Sequence, residues 1–368
     1  MMAMSILYAL TPTPREATES EKCYQDYTHL PALAKEDQVY DERLAKLQSA
    51  EAVSNPSSAA TTPVKAKKIA RGAIRSEKYR AQLKSLDRTD SSIEPQCHLS
   101  LVVPAYNESE RLPIMLKETL EYLDGRSLAT KGAKGQPFSY EILIVDDGSQ
   151  DKTVSIALEI AKRESKAEIR VLSFEKNRGK GGAVIQGMQY TRGEYILMVD
   201  ADGATRFSDV SALETQLQAV ERDGLGVAIG SRAHLVKTDA VVKRSFVRNF
   251  LMYSFHKVVY VLGIRGVEDT QCGFKLFTRA AAEAIFPNMH VEGWVFDIEM
   301  LMIAQQLKIP LAEVPVAWQE IDGSKVSLVR DSIRMAVDLL IIRMNYIFGL
   351  WKIRPLKNRA KAMTTTKE

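Results

Sequence analysis

The sequence predicts an α/β protein with a central, mostly parallel sheet flanked by helices. Four short segments are almost continuously apolar, as expected for parallel strands that are covered on both faces. The segments between them carry apolar residues at helical spacing, so strands and helices alternate along the chain. Acidic or glycine-rich turns follow the strands directly, and the ligand crevice of such a sheet lies outside the carboxyl ends of its strands.

The folded part begins near Cys97. The predicted strands are Leu99–Val103, Tyr140–Val145, Ile169–Leu172 and Glu194–Val199. Pro104 is predicted to end the first strand. The first helix carries apolar residues at helical spacing, and Ser149 is predicted to cap the second helix. A glycine-rich turn, Asn177–Gly182, opens the third.

The composition predicts three regions. Residues 1–95 are rich in Ala, Ser, Thr, Pro and charge, which is typical of a low-complexity, partly disordered tail. Residues 96–325 are predicted to form the α/β domain, and residues 326–368 a C-terminal amphipathic helix with a basic tail. Arg330–Trp351 places its apolar residues on one stripe and its arginines off it. That pattern fits an interfacial membrane helix and equally a helix that covers the sheet.

Charge and cysteine content exclude several classes of protein. The net charge of +4 is too small to indicate nucleic-acid binding. The three cysteines lie far apart, which excludes a disulfide framework and fits a reducing compartment. No stretch reaches the apolar length of a membrane span. Met1–Pro14 lacks the basic region of a signal peptide, so it is either a frayed tail or the end of a longer anchor.

The candidate site centres on Asp200 and Asp202, which directly follow a buried strand. Two carboxylates at this spacing can share one hard divalent cation, Mg²⁺ or Mn²⁺, which usually also binds substrate phosphates. The turn Gly203–Thr205 adds little bulk beside the cation.

Other residues after the strands suit a nucleotide. Carboxylates at Glu108, Asp146 and Asp147 can accept hydrogen bonds from ribose and base, although helix capping explains them equally. Tyr106 is placed to lie beside the base. The glycine-rich turn contributes two cations that can hold a diphosphate, Arg178 and Lys180. Neither a Walker loop nor a dinucleotide-binding G-x-G-x-x-G is present.

The order of these motifs resembles the inverting family-2 glycosyltransferases, which have a GT-A fold. The motifs are Pro104–Glu108, Asp146–Ser149, Asn177–Gly182 and Asp200–Asp202. Four further stretches resemble the branch of that family that transfers glucose from UDP-glucose to dolichyl phosphate. They are Asp200–Thr205, Gly230–Leu235, Asp269–Phe277 and Trp294–Glu299. The resemblance runs from about Leu99 to Ile353.

The resemblance implies roles for individual residues. Asp200 and Asp202 would bind the metal, and Ala204 stands where mannose-transferring relatives place a further ligand. The donor would contact Pro104, Tyr106, Glu108, Asp146, Asp147, Arg178, Lys180, Asp200 and Gln271. The expected catalytic residues are Asp202, Asp269, Arg232 and Lys275. Asp269 would orient the acceptor or act as a base, and Arg232 would clamp the acceptor phosphate. On the acceptor side we expect Trp294, Asp297, Arg244 and Arg248.

The resemblance also implies partners and a location. The partners would be UDP-glucose, dolichyl phosphate and a membrane surface, with Mg²⁺ or Mn²⁺ as cofactor. The location would be the endoplasmic reticulum membrane, with the active site facing the cytosol. The product would be used in assembly of the N-glycan precursor. Three alternatives stay open: a mannosyl or other polyprenyl-phosphate hexosyltransferase, a membrane-bound nucleotide-sugar-binding protein without turnover, and a nucleotidyltransferase. The last would require a glycine-rich signature after the first strand, where Pro104–Glu108 has none.

Overall fold

The protein contains a seven-stranded mixed sheet. The computed structural model describes residues 11, 18, 21, 23, 24, 84, 85, 95–129, 138–164, 168–236, 266–321 and 328–356. The strands are β1 (Cys97–Ala105), β2 (Tyr140–Asp146), β3 (Glu168–Ser173), β4 (Gly193–Val199), β5 (Val227–Ser231), β6 (Phe274–Thr278) and β7 (Leu311–Pro315). Their order across the sheet is β3-β2-β1-β4-β6-β5-β7. Strand β6 is antiparallel to both neighbours, and the other neighbouring pairs are parallel.

Eight α-helices connect or cover these strands in the part of the chain that is described. They are α1 (Leu112–Ala129), α2 (Thr153–Arg163), α3 (Lys180–Gln189), α4 (Val210–Val220), α5 (Ala233–Val236), α6 (Arg279–Ile285), α7 (Phe296–Gln306) and α8 (Leu328–Ile347). Short 3₁₀ turns precede α4 and follow α6, at Phe207–Asp209 and Phe286–Asn288.

The core has two layers, one on each face of the sheet. Strand residues alternate between them: Val102 belongs to the layer that contains α3, α6, α7 and α8, while Leu101 and Val103 belong to the layer that contains α1, α2 and α4. These side chains are fully buried, as the near-continuous apolar runs predict for a sheet covered on both sides. The fold is therefore a three-layer α/β arrangement with its crevice at one edge of the sheet.

The four predicted strands and the three helices after them are confirmed. Two local predictions are wrong. β1 continues through Pro104, which stands opposite Val145 in the parallel ladder, so the proline lies within the strand near its carboxyl end. Ser149 does not cap α2, because the helix begins four residues later and the Ser149 hydroxyl instead accepts a hydrogen bond from the Asn107 amide.

Predictions for the N-terminal tail fall almost entirely outside the described residues, as do those for Arg244 and Arg248. Two parts of the tail can be placed. Cys23–Tyr24 pairs antiparallel with Lys84–Ser85, and the Thr11 hydroxyl donates to Asn345 of α8 at 2.9 Å. None of the described helices is both long enough and apolar enough to span a bilayer.

Candidate active site

The chemistry-bearing residues gather at one edge of the sheet. The carboxyl ends of β1, β2, β4 and β5 meet there, and the amino end of antiparallel β6 joins them because Phe274 pairs with Val199. The topology thus brings together residues that are far apart in sequence, including Glu108, Asp147, Asp200 and Arg232.

The loop after β1 is braced by the loop after β2. The Asn107 amide donates to the Ser149 hydroxyl, and the Glu108 amide donates to the Thr153 hydroxyl at 2.8 Å. Asn107 has a φ of 54°, a left-handed conformation that asparagine tolerates better than most residues. The carboxylate of Glu108 is buried and accepts two hydrogen bonds from the Arg111 guanidinium, at 2.6 and 2.7 Å. Tyr106 is 37% exposed at the mouth of the crevice.

The two aspartates after β2 hold loops of the protein. Asp146 is fully buried; one oxygen accepts from the Ser149 amide and the other from the Ser173 hydroxyl. Asp147 accepts from the backbone amides of Arg178 and Gly179, at 2.6 and 2.9 Å. Burial, reinforced by the charges of Asp146 and Glu292, raises the pKa of Asp147 to about 7, although those amide donors oppose the shift. Asp147 therefore shapes the glycine-rich turn, whereas Asp146 ties the loop after β2 to the end of β3.

The glycine-rich turn is also fixed from the opposite side by Glu292. The Arg178 guanidinium, 2% exposed, forms a salt bridge with Glu292 and donates from Nε at 3.0 Å. The Glu292 carbonyl accepts from the Gly182 amide at 3.1 Å. Gly179, with φ of 95°, lies so close that a Cβ there would be 2.5 Å from the same carbonyl oxygen. Backbone and glycine, more than the Arg178 side chain, thus form the surface of this turn.

Asp200 and Asp202 follow the end of β4, and Lys180, the first residue of α3, contacts Asp200. The Lys180 ammonium donates to Asp200 Oδ2 at 2.8 Å and lies 2.7 Å from Oδ1. Asp202 Oδ1 accepts from the Ala204 amide at 3.0 Å. Burial, followed by the charge of Asp200, raises the pKa of Asp202. Burial opposes the charge of Lys180, but the carboxylates around it, Asp200 first, raise its pKa.

Arg232 and Asp269 form a second charged pair at the carboxyl end of β5. Arg232 Nε and Nη2 donate to the two oxygens of Asp269 at 2.6 and 2.8 Å, and the Arg232 amide adds a third hydrogen bond. Burial opposes ionisation of Asp269, but Arg232 outweighs it and lowers the pKa of the carboxyl. The guanidinium also lies over the Trp318 ring, at 5.4 Å. Glu313 accepts from the Asp269 amide at 2.9 Å and so fixes this loop.

Lys275 and Asp297 lie below this surface. The Lys275 side chain is 0% exposed, and its ammonium lies 2.6 Å from Asp297 Oδ1. Trp294, by contrast, is 37% exposed just before α7, and Gln271 is half-buried in the turn before β6.

The structure adds two residues that the sequence analysis missed. Arg111 donates hydrogen bonds to Glu108. Burial opposes the charge of Arg111, but Glu108, Asp202 and Asp200 together raise the pKa of Arg111. Its position three residues after the Pro104–Glu108 motif was the available signal. Glu292 lies 114 residues from Arg178, its partner, and no local pattern connects the two.

Comparison with known proteins identifies the family of this chain. Residues 100–286 match the Glycosyl transferase family 2 domain. The chain is 51% identical over 257 residues to the dolichyl-phosphate beta-glucosyltransferase of Dictyostelium discoideum, covering 70% of this chain and 77% of the relative. The corresponding protein of Homo sapiens is 46% identical over 281 residues, 75% of this chain and 85% of the relative. A crystal structure of Mycobacterium tuberculosis glucosyl-3-phosphoglycerate synthase with uridine diphosphate is 18% identical, with a TM-score of 0.47 over 67% of this chain and 80% of that one.

The chain belongs to glycosyl transferase family 2 and, within it, to the family of the dolichyl-phosphate beta-glucosyltransferases. It is therefore a glycosyltransferase, and its mostly parallel sheet with helices on both faces is the GT-A fold that the motif order predicted.

Proposed function

We propose that the protein transfers glucose from UDP-glucose to dolichyl phosphate with inversion, giving dolichyl β-D-glucosyl phosphate. The observation that carries this proposal is the family membership, together with the carboxylate pair at the carboxyl end of β4 in the matched region. A parallel sheet binds its ligand at this edge. The product would serve assembly of the N-glycan precursor.

The pair Asp200 and Asp202 fits a divalent cation. Both are half-buried, and burial together with mutual repulsion raises the pKa of Asp202, a cost that a cation would offset. Asp200 Oδ1 is buried and accepts no hydrogen bond, although Lys180 lies near it. Mg²⁺ is commonly held by one or two carboxylates together with substrate phosphates, and Mn²⁺ takes similar oxygen ligands. When bound, the cation would neutralise charge on the leaving diphosphate.

The donor would bind across the loops after β1 and β2 and the glycine-rich turn. Tyr106 and Glu108 are assigned to the uridine, with Arg111 keeping the Glu108 carboxylate in place. Lys180 is assigned to the diphosphate, where its ammonium would offset the charge that develops on the leaving UDP. The geometry favours a supporting role for Asp146 and Asp147, since their oxygens already accept hydrogen bonds within the protein.

The acceptor needs little help from a base. A phosphate monoester has a second pKa near 6 and is largely ionised at pH 7. Its oxygen would attack the anomeric carbon from the face opposite UDP. The new C–O bond forms as the bond between the anomeric carbon and the UDP oxygen breaks, and UDP leaves. Asp269 is poorly suited to act as a base, because Arg232 lowers its pKa below its ordinary value. We assign Asp269 to orienting Arg232, whose guanidinium would clamp the acceptor phosphate.

A lipid acceptor requires contact with a membrane, and α8 supplies a surface for it. Its inner face, with Leu339 and Ile342 fully buried, packs against the core. Its outer face exposes the apolar side chains of Val337 at 48%, Leu340 at 59% and Ile347 at 60%, and Phe348, directly after the helix, is 44% exposed. Arg334 and Lys352 are exposed nearby. The helix thus combines the two alternatives of the sequence analysis, since it covers the sheet and presents an apolar row suited to a lipid surface.

The double variant Leu340→Ser/Phe348→Ser should bind anionic lipid vesicles about tenfold more weakly, because two partly exposed apolar side chains no longer enter the bilayer. Co-sedimentation measures this. Ile114→Ser is the matched control, since Ile114 is 72% exposed on α1, across the sheet from α8. An equal loss in both variants would contradict the membrane role of α8. The family and the lipid acceptor lead us to infer a location at the endoplasmic reticulum membrane, with the active site facing the cytosol.

A transfer assay tests the whole proposal. The protein would be incubated with Mn²⁺ or Mg²⁺, a short polyprenyl phosphate, and either UDP-glucose or GDP-mannose, and the lipid product identified by mass. We expect a hexosyl-phosphoryl lipid from UDP-glucose alone, lost on addition of EDTA. Transfer from GDP-mannose would show that the proposed donor, UDP-glucose, is wrong. Bound UDP-glucose without any product would favour a non-catalytic nucleotide-sugar-binding protein.

A further inference from the structure

We propose that Lys275 is a positioning residue that fixes Asp200 through the turn Cys272–Gly273. The Lys275 ammonium donates two hydrogen bonds, to the Cys272 carbonyl and to Asp297 Oδ1, each at 2.6 Å. Because the side chain is 0% exposed, Lys275 is not placed to touch a ligand, and these two hydrogen bonds are the contacts that connect it to the site. The inference rests on the proposed role of Asp200 in metal binding.

Gly273 is the residue of this turn that contacts Asp200 directly. Its carbonyl accepts from the Asp200 amide at 3.1 Å. A Cβ at Gly273 would lie 2.0 Å from Asp200 Oδ2 and 2.2 Å from Cγ, so the glycine backbone lies directly against the carboxylate. The φ of Gly273 is not in the left-handed region, so contact with Asp200, and not backbone conformation, requires glycine here.

The charge of Lys275 is better explained by positioning than by stability. A buried ion pair often contributes little net stability, because desolvation offsets the attraction between its charges. One ammonium can nevertheless bind a carbonyl and a carboxylate at once, and here it connects the turn before β6 to Asp297 in the first turn of α7. The Lys180 ammonium contacts the same Asp200 carboxylate. Asp200 is thus held both by the Gly273 backbone and by Lys180.

Removal of the ammonium should therefore weaken metal binding. In Lys275→Met, which keeps the length of the side chain, we expect the dissociation constant for Mn²⁺ in the presence of UDP to rise about tenfold. The measurement is free Mn²⁺ by electron paramagnetic resonance, which does not depend on turnover. The KM for the polyprenyl phosphate should stay within about twofold, as expected for loss of a residue that supports the metal ligands. Asp297→Asn keeps a hydrogen-bond acceptor for Lys275. Its dissociation constant for Mn²⁺ should therefore lie between those of the unaltered protein and Lys275→Met.

The matched control is Arg170→Met. Arg170 is also 0% exposed and paired with a buried carboxylate, Glu141, but the pair lies at the amino end of β2. This variant should lose thermal stability and keep the Mn²⁺ dissociation constant. Gly273→Ala should weaken Mn²⁺ binding without changing the Lys275 side chain, and it tests the contact between Gly273 and Asp200. Asp297→Asn, which alters a partner of Lys275, keeps the role of Lys275 testable if Lys275→Met does not fold.

The outcomes separate this inference from the proposed function. If the unaltered protein with UDP binds no Mn²⁺, the proposed metal site is wrong. If it binds Mn²⁺, and folded Lys275→Met and Gly273→Ala bind it equally well, the metal site stands and the positioning role of Lys275 is wrong. Equal weakening in Arg170→Met would also overturn the inference, because general loss of stability would then explain the effect.

Discussion

Asp202→Asn is expected to reduce turnover by about a hundredfold or more, the scale of losing one electrostatic contact to a developing charge. Asparagine has nearly the same shape and can still accept the hydrogen bond from the Ala204 amide, so the turn after β4 should persist. The substitution removes the negative charge that would hold the cation and leaves Asp200 paired with Lys180. The effect should therefore appear in chemistry and metal binding and not in folding.

Single-turnover transfer from UDP-glucose, measured across a Mn²⁺ titration, checks this expectation. Asp223→Asn is the matched control, because Asp223 is exposed in a tight turn with a φ of 54°, which asparagine also tolerates. The control should keep full turnover. Turnover in Asp202→Asn close to that of the unaltered protein would rule out Asp202 as the metal ligand.

The strands that could be predicted from the sequence are β1 to β4, which are mutually parallel neighbours in one half of the sheet. Each is a run of apolar residues that are buried on both faces, so composition alone marks it. The other half of the sheet was not located in this way. β5, β6 and β7 have five residues each. The antiparallel β6 begins at Phe274, 43 residues after β5 ends at Ser231, yet it lies between β4 and β5 in the sheet. A short apolar run carries no information about its partner or its direction.

A similar limit applies to the site. The carboxylates after the strands could be found because the carboxyl ends of parallel strands share one edge of the sheet. Burial and pairing could not be read from the sequence. Lys275 was expected to act on substrate, yet its ammonium is enclosed by Cys272 and Asp297. Arg178 was expected at the donor, yet its guanidinium is held by Glu292, whose position depends on how α7 packs. Such pairs form only when the tertiary structure forms.

Gly179→Ala is expected to weaken UDP binding by about a hundredfold. Two features make alanine unfavourable in the folded protein. The backbone at φ 95° and ψ 162° lies in a region essentially restricted to glycine, at a cost of about 1–3 kcal/mol, and the new methyl would overlap the Glu292 carbonyl at a cost of about 1–3 kcal/mol. Relief of that overlap would move either Glu292, which holds Arg178, or the amide that Gly179 donates to Asp147. Either movement changes the surface that we assign to the donor diphosphate.

Gly224→Ala separates the two costs. Gly224 also has a left-handed φ, 78°, but a Cβ there would meet nothing within 4 Å. It should therefore lose thermal stability from backbone strain while binding UDP normally in calorimetric titrations. If Gly179→Ala binds UDP as well as Gly224→Ala does, the glycine-rich turn does not approach the nucleotide. A specific loss in Gly179→Ala would instead mean that the close contact with Glu292 sets the shape of the donor site, because backbone strain is common to both variants.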